Sequence, residues 1–181
     1  MVKITLFGLA GTGTSTIGKM IASTCGYDFF SGGLMFRDMA KQKNMDLYEF
    51  SELCAKDKKY DIELDKKIKQ YGIDNDNFVF ESRICWYFIP DSIKIKLSCD
   101  DNIRFERISK RDQKDLGYVI TKTKERELSE RDRYMRYYGL EDYDSNLHFD
   151  IVVDTSYKTE DEILRILVRF IESYQKKRSR I

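Results

Sequence analysis

Short apolar runs alternate along the chain with longer stretches of helical spacing. Residues 3–7, Lys-Ile-Thr-Leu-Phe, predict a buried strand, and a helical pattern follows from residue 14 to Cys25. Residues 27–30 are a short aromatic run and a second strand. Ser31 then opens a helix with Met35, Phe36, Met39 and Ala40 on one face. Residues 47–71 are polar and helical, with Leu47, Phe50, Leu53 and Cys54 recurring at helix spacing. After the turn residues 75–77, Phe78-Val-Phe80 is apolar throughout, as a strand covered on both faces requires. Residues 93–98 alternate instead, which predicts a more exposed strand. Asp100 and Asp101 cap a helix with Ile103 and Ile108 on its apolar side. Residues 113–123 are weakly patterned and residues 124–138 helical. Residues 149–153 read as a last strand, and Thr159 to Glu162 as a capping box before a helix faced by Ile163, Ile166, Leu167 and Phe170. A basic tail covers residues 176–180. Strands alternating with helices predict an α/β fold: a parallel sheet of about five strands flanked by helices.

Composition narrows the function classes. At 181 residues the chain is expected to be one domain, and 32 Lys plus Arg nearly cancel 31 Asp plus Glu. The balance argues against general nucleic-acid binding. There is no apolar run long enough for a membrane span, and the start leads straight into a strand, so neither a membrane anchor nor a signal peptide is expected. Cys25, Cys54, Cys85 and Cys99 are scattered without paired spacing and read as reduced thiols of a cytoplasmic protein. The single histidine, His148, reads as structural.

The chemistry begins between the first strand and helix. Gly8, Gly11 and Gly13 lie in a turn, Gly8-Leu9-Ala10-Gly11-Thr12-Gly13-Thr14-Ser15-Thr16, with the spacing of a phosphate-binding loop. Backbone N–H groups there, with the helix N-terminus, suit phosphate oxygens, and the Ser15 hydroxyl suits Mg2+. Thr14 stands where that pattern has lysine, so the missing positive charge must come from elsewhere. Read alone, the loop fits a phosphate cradle or a glycine-rich turn that binds nothing. Glu81 and Arg83 follow the strand 78–80, at the sheet end where α/β proteins hold ligands. They suggest a group near the metal and an anion contact. Arg37 is free to meet an anion or water. Asp61 and Asp65 share a helix face, which by itself fits a solvated surface. Arginines crowd residues 104–136, with Arg107 and Arg111 one turn apart and Arg126 and Arg133 beyond them. They fit a salt-bridged helical hairpin or a guanidinium source for phosphates. Transfer to an acceptor phosphate needs no base, so the lack of a nucleophile–histidine pair agrees with it.

Together these blocks resemble the nucleoside monophosphate kinases, most closely the archaeal-type cytidylate kinases. The likeness is carried by residues 8–17, where Thr14 is itself family-like, Ser31-Gly-Gly-Leu-Met-Phe-Arg37, residues 46–51, Asp61-Ile-Glu-Leu-Asp65, Phe80-Glu-Ser-Arg83, and the arginine-rich residues 106–111 and 124–139. It implies transfer of the ATP γ-phosphate to CMP or dCMP with Mg2+, by a monomer. The core would take about residues 1–30, 75–110 and 148–175, the acceptor segment 31–72 and a lid 111–138. Residues 8–16 and Arg107 would hold ATP, and Ser15 and Glu81 the metal. Ser31, Arg37, Asp61, Asp65, Arg83 and Glu130 would contact the acceptor. Arg111, Arg126 and Arg133 would act on the reacting phosphates. Ser82 and Leu34 depart from the family pattern on the acceptor side. Competing readings are an adenylate-kinase-like or shikimate-type kinase, a catalytically silent nucleotide-binding module, and a nucleic-acid binder, the last disfavoured by the balanced charge.

Overall fold

The computed structural model describes residues 2–178. One parallel sheet holds β1 (Lys3–Phe7), β2 (Asp28–Ser31), β3 (Phe78–Glu81), β4 (Ile93–Ser98) and β5 (Ile151–Asp154), in the order β2-β3-β1-β4-β5. In the central strand, Leu6 stands opposite Glu81 of β3 and Ile95 of β4. Around the sheet lie α1 (Thr14–Cys25), α2 (Gly32–Gln42), α3 (Leu47–Lys56), α4 (Lys59–Asp74), α5 (Cys85–Phe88), α6 (Asp101–Asp112), α7 (Leu116–Tyr138) and α8 (Glu160–Arg178). The expected α/β architecture is therefore the observed one.

The alternation of β1 divides the core. Ile4 and Leu6 pack with Ile17 and Ile21 of α1 and Leu167 and Ile171 of α8. Phe7 points to the other face, beside Ile84, Trp86 and Tyr143. Farther along that face, Phe78 and Phe80 meet Ile68 of α4 and Ile89. Burying a core side chain of this size is worth about 1.5–3 kcal/mol, so both faces of the sheet contribute to holding the strand ends in place.

Three boundaries differ from the sequence expectation. Helix α7 begins at Leu116, so the weakly patterned stretch is mostly helical. Asp115 caps it by accepting from Tyr118 N at 2.9 Å, and Val119 is buried against Phe105 and Ile108 of α6. Tertiary packing there overrides the poor helix propensity of Gly117 and the β-branched residues 119–121. Residues 47–71 are not one helix but α3 and α4, separated at Asp57 and Lys58. Strand β5 starts at Ile151 because Phe149 is taken by Phe7 and Trp86, at ring distances of 5.1 and 5.8 Å. The alternation of β4 does not make it an edge; it lies between β1 and β5. Its half-buried lysine face is covered by the segment before β5, where Lys96 Nζ donates to Asp144 O and, at 2.8 Å, to Asn146 Oδ1. His148 is structural as expected: its ring stacks on Trp86 at 4.4 Å. Of the basic tail, Lys176 and Lys177 belong to α8, and Ser179 and Arg180 lie outside the described residues.

Candidate active site

A cleft of about 710 Å³ opens where β1, β2, β3 and β5 end. The loop after β1 forms its floor. Gly11 has φ +85° and packs so closely on α6 that a Cβ would sit 2.4 Å from Arg104 O. Gly13, with φ +91°, precedes α1, and a Cβ there would meet nothing within 4 Å. The loop is thus pinned to α6 on one side and open above the start of α1. The first N–H groups of a helix lack intrahelical acceptors, and those of Thr14, Ser15 and Thr16 head this one.

Thr14 is buried, and its hydroxyl donates to Glu81 Oε1 at 3.1 Å. Ser15 Oγ donates to Glu81 Oε2 at 3.3 Å, and Ser31 Oγ donates to the same oxygen. One buried carboxylate thereby ties together the ends of β2 and β3 and the start of α1. Ser31 also caps α2, accepting from Leu34 N at 3.2 Å. Expected as an acceptor contact, Ser31 is turned from the cleft by these two bonds; Gly8 also lies behind the lining, its carbonyl taken by Arg83 Nη1. Leu9 to Thr16 line the floor as expected.

Six arginines face the cleft: Arg37, Arg83, Arg107, Arg111, Arg126 and Arg133. Arg107 bridges the loop to the segment after β5, with Nη2 2.9 Å from Thr155 O and Nη1 3.4 Å from Gly11 O. Arg37, Arg111 and Arg126 come close enough to repel. Burial lowers the pKa of Arg37, and the other two guanidiniums push it the same way. Arg111 is half exposed and pairs with Asp112 at 2.7 and 2.9 Å. Asp112 feels Arg37 and Arg126 as well, and Arg111 first among them holds its carboxyl below the ordinary value.

Glu130 and Arg133 both line the cleft, and each is paired with charged groups of the chain itself. Glu130 is an internal counter-ion, with Arg83 Nε 3.0 Å from one oxygen and Arg126 Nε 3.1 Å from the other. Burial pushes its carboxyl up, yet Arg83, Arg126 and Arg133 outweigh this and hold it below its ordinary value. Arg133 is 1% exposed and is directed at α4, with Nε 2.8 Å from Asp61 Oδ2 and Nη1 2.8 Å from Ser129 Oγ. The Arg133 Nε–Asp61 Oδ2 contact is short but poorly directed as a hydrogen bond, so charge attraction is its main component. Seven residues apart on one helix, Arg126 faces the phosphate end of the cleft and Arg133 the α4 end, because their carboxylate partners differ. Asp61 and Asp65 are buried rather than solvated. Burial raises both; Asp65, whose Oδ2 accepts the Tyr138 hydroxyl, is pushed up to about 7. Asp112 and Lys158 line the cleft but were not singled out from sequence. Asp112 adjoins Arg111, and Lys158 lies a few residues beyond the end of β5.

The donor set suits a hard divalent cation. Ser15 and Glu81 offer oxygens at the head of α1, and among the described residues no group of three or more His, Cys, Asp or Glu is arranged to cage a metal. Mg2+ keeps several waters and takes one or two protein oxygens beside substrate phosphates, which fits so sparse a set.

A glycine loop heading a helix at the centre of a parallel sheet, under converging arginines, defines a P-loop kinase-type protein. A family model described as "AAA domain" matches residues 4–130. The cytidylate kinase of Methanosphaera stadtmanae is 37% identical over 170 residues, covering 94% of this chain and 98% of that protein. That of Methanocaldococcus jannaschii is 36% identical over 178 residues, covering 96% and 99%. The chain belongs to the cytidylate kinase family. Among solved structures, an uncharacterized protein from Eubacterium ventriosum matches with a TM-score of 0.71 at 15% identity, covering 96% of this chain and 99% of that one. A shikimate kinase from Aquifex aeolicus matches with 0.59 at 15%, covering 96% and 98%. At such identities these two show the fold alone. No helix among the described residues is long and apolar enough to cross a membrane.

Proposed function

We propose that the protein transfers the γ-phosphate of ATP to CMP, and also to dCMP, giving ADP and the diphosphate. The observation that carries this reading is the convergence of Arg37, Arg111 and Arg126 above the N-terminus of α1, in a chain aligned over nearly its whole length with cytidylate kinases. Arg111 and Arg126 each have a carboxylate partner within the chain, yet both still repel Arg37, so the cleft keeps a surplus of positive charge that two polyanionic substrates would offset.

In this reading the loop amides of residues 9–16 hold the ATP phosphates, and Arg107, tied to both Gly11 and Thr155, lies against the nucleoside. Residues 31–72 bind the acceptor and residues 111–138 close over the phosphates. Arg37 and Arg83 hold the acceptor phosphate, and Arg111 and Arg126 meet the transferred group. Glu130 orients Arg83 and Arg126 rather than touching substrate. The missing loop lysine is made good by these arginines, whose planar forks stay charged at any working pH. Ser15 and Glu81 hold Mg2+, directly or through water; when bound it neutralises charge on the β- and γ-phosphates. The acceptor phosphate is already ionised, so the chain's task is alignment and exclusion of water. Four free cysteines suit a reducing compartment such as the cytoplasm, where the protein acts as a monomer.

A coupled ADP-release assay over AMP, CMP, dCMP, UMP and GMP tests the reading. Turnover fastest on CMP or dCMP is expected; turnover fastest on AMP or GMP overturns it.

A further inference from the structure

Two carboxylates pair with the arginines at the phosphate end of the cleft, Glu130 and Asp112, and they are held differently. Glu130 sits between Arg83 and Arg126, and its side chain and that of Arg126 are each 10% exposed. Cations enclose it on two sides, so it stays where it is. Asp112 has one ion-pair partner, Arg111, and the two side chains are 35% and 49% exposed. Its two oxygens accept from Arg111 Nε and Nη2 at 2.7 and 2.9 Å. Asp112 thereby fills one whole edge of the guanidinium, the kind of edge a phosphate takes in a two-pronged contact. The other charged groups that face Asp112 are Arg37 and Arg126, and Tyr48 of α3 faces Arg111. Asp112 ends α6. Gln113 caps that helix at φ +53° with its N–H on Ser109 O, and Ser109 Oγ donates to Lys114 O at 2.6 Å. The backbone there is tied down, so the carboxylate can leave Arg111 by turning about its own side-chain bonds, toward water it already reaches. An exposed pair of this kind contributes little to stability, and little opposes its exchange.

We infer that Asp112 is an internal stand-in for a substrate phosphate: it competes with phosphate for the fork of Arg111, turns away when phosphate arrives, and so limits how tightly the cleft retains nucleotides. The inference rests on the proposed reaction and deepens it. Asp112 is a positioning residue and acts through Arg111. The products of the transfer carry nearly as much charge as the substrates, so a cleft of unopposed arginines would hold both alike and gain nothing in turnover from its grip. A carboxylate that returns to Arg111 as phosphate leaves offsets that grip, and lowers the affinity for ATP as it does so. The chain thus combines a fixed counter-ion, Glu130, with an exchangeable one, Asp112. The bond to Arg111 above all holds the Asp112 carboxyl below its ordinary value, so the competing charge is present at any working pH.

The test is calorimetric binding of a non-hydrolysable ATP analogue with Mg2+ to the wild type, Asp112→Asn, Arg111→Ala and the double variant, beside steady-state kcat and KM for ATP with CMP as acceptor. Asp112→Asn binds the analogue roughly 3–30-fold tighter, the span expected from removing one partly screened like charge beside the phosphates. Its KM for ATP falls by a similar factor and its kcat does not rise, a split that a merely structural aspartate would not give. In the Arg111→Ala background most of the gain disappears. Asp112→Ala repeats the gain, which keeps the test open should the Asn variant fold poorly. Equal or weaker binding in both Asp112 variants overturns the inference. So does an undiminished gain without Arg111, which would be a general effect of charge. Either failure leaves the cytidylate kinase reading standing. Turnover fastest on AMP overturns the proposed acceptor and leaves the Asp112 result intact. An analogue that does not bind the wild type overturns both.

Discussion

Glu130 offers the sharpest test of how the arginine cleft is held together. Replacing it by Gln keeps the shape and one carbonyl acceptor but removes the negative charge between Arg83 at 3.0 Å and Arg126 at 3.1 Å, with Arg133 close by. Removing one partner of a buried ion pair costs about 3–5 kcal/mol; the Gln retains part of the hydrogen bonding, which points to the lower end. For a chain of this length, 3 kcal/mol corresponds to a fall in Tm of roughly 6–12 °C. The same change leaves the cleft more cationic, so binding of an anion should strengthen while stability falls. Differential scanning fluorimetry with and without a non-hydrolysable ATP analogue reads both effects. The gap between wild type and Glu130→Gln should narrow when the analogue is present, because its phosphates supply the missing charge. The sign with pH follows from the depressed carboxyl: its contribution is full above the ordinary value of 4.5 and disappears as pH falls through the lower folded value, so the gap closes in acid. A Tm within about 2 °C of wild type, or a gap that ligand leaves unchanged, would refute the counter-ion role.

Three further outcomes are expected. Arg111→Ala should reduce kcat by about two to three orders of magnitude with little change in Tm, because Arg111 is half exposed and its partner Asp112 can turn to water; an unchanged kcat removes Arg111 from the chemistry. Glu81→Gln disturbs the hydroxyls of Thr14, Ser15 and Ser31 together, and activity against Mg2+ concentration should shift by about 10–100-fold, with loss of activity on chelation in both proteins; superimposable Mg2+ curves would separate Glu81 from the metal. Alkylation at pH 8 followed by peptide mapping should mark the partly exposed Cys25 and Cys99 first. Burial pushes Cys54 and Cys85 up to about 12, so both remain unreactive thiols, and rapid labelling of either would contradict that burial.

Much of the fold was legible because its signals are local. Apolar runs at residues 3–7 and 78–80, the cap at Ser31 and the capping box at Thr159 act within a few residues, and each appears where the spacing implies. Helix α7 was less legible at its start, since contacts of Val119 with α6, not propensity, extend it to Leu116. The glycine loop and the arginine surplus were visible as types and spacings, but each alone also fitted a purely structural role, and the family resemblance joined them into a phosphate-handling reading.

What spacing does not carry is pairing across the chain. Arg126 and Arg133 look alike seven residues apart, yet one meets Glu130 and the other Asp61, contributed by α4 some seventy residues earlier. Thr14, a gap in the loop pattern, becomes a donor to Glu81 only because β1 and β3 are neighbours in the sheet. Asp61 and Asp65 have the sequence of a solvated helix face and are buried because α7 lies across them. The sequence by itself determined the parallel α/β scaffold and the glycine-rich turn between β1 and α1, since backbone geometry and apolar periodicity are properties of short segments. Only the tertiary structure decided which charges stay free for ligand and which neutralise one another. The field at a side chain depends on burial and on partners a few ångströms away, and chain distance does not encode either.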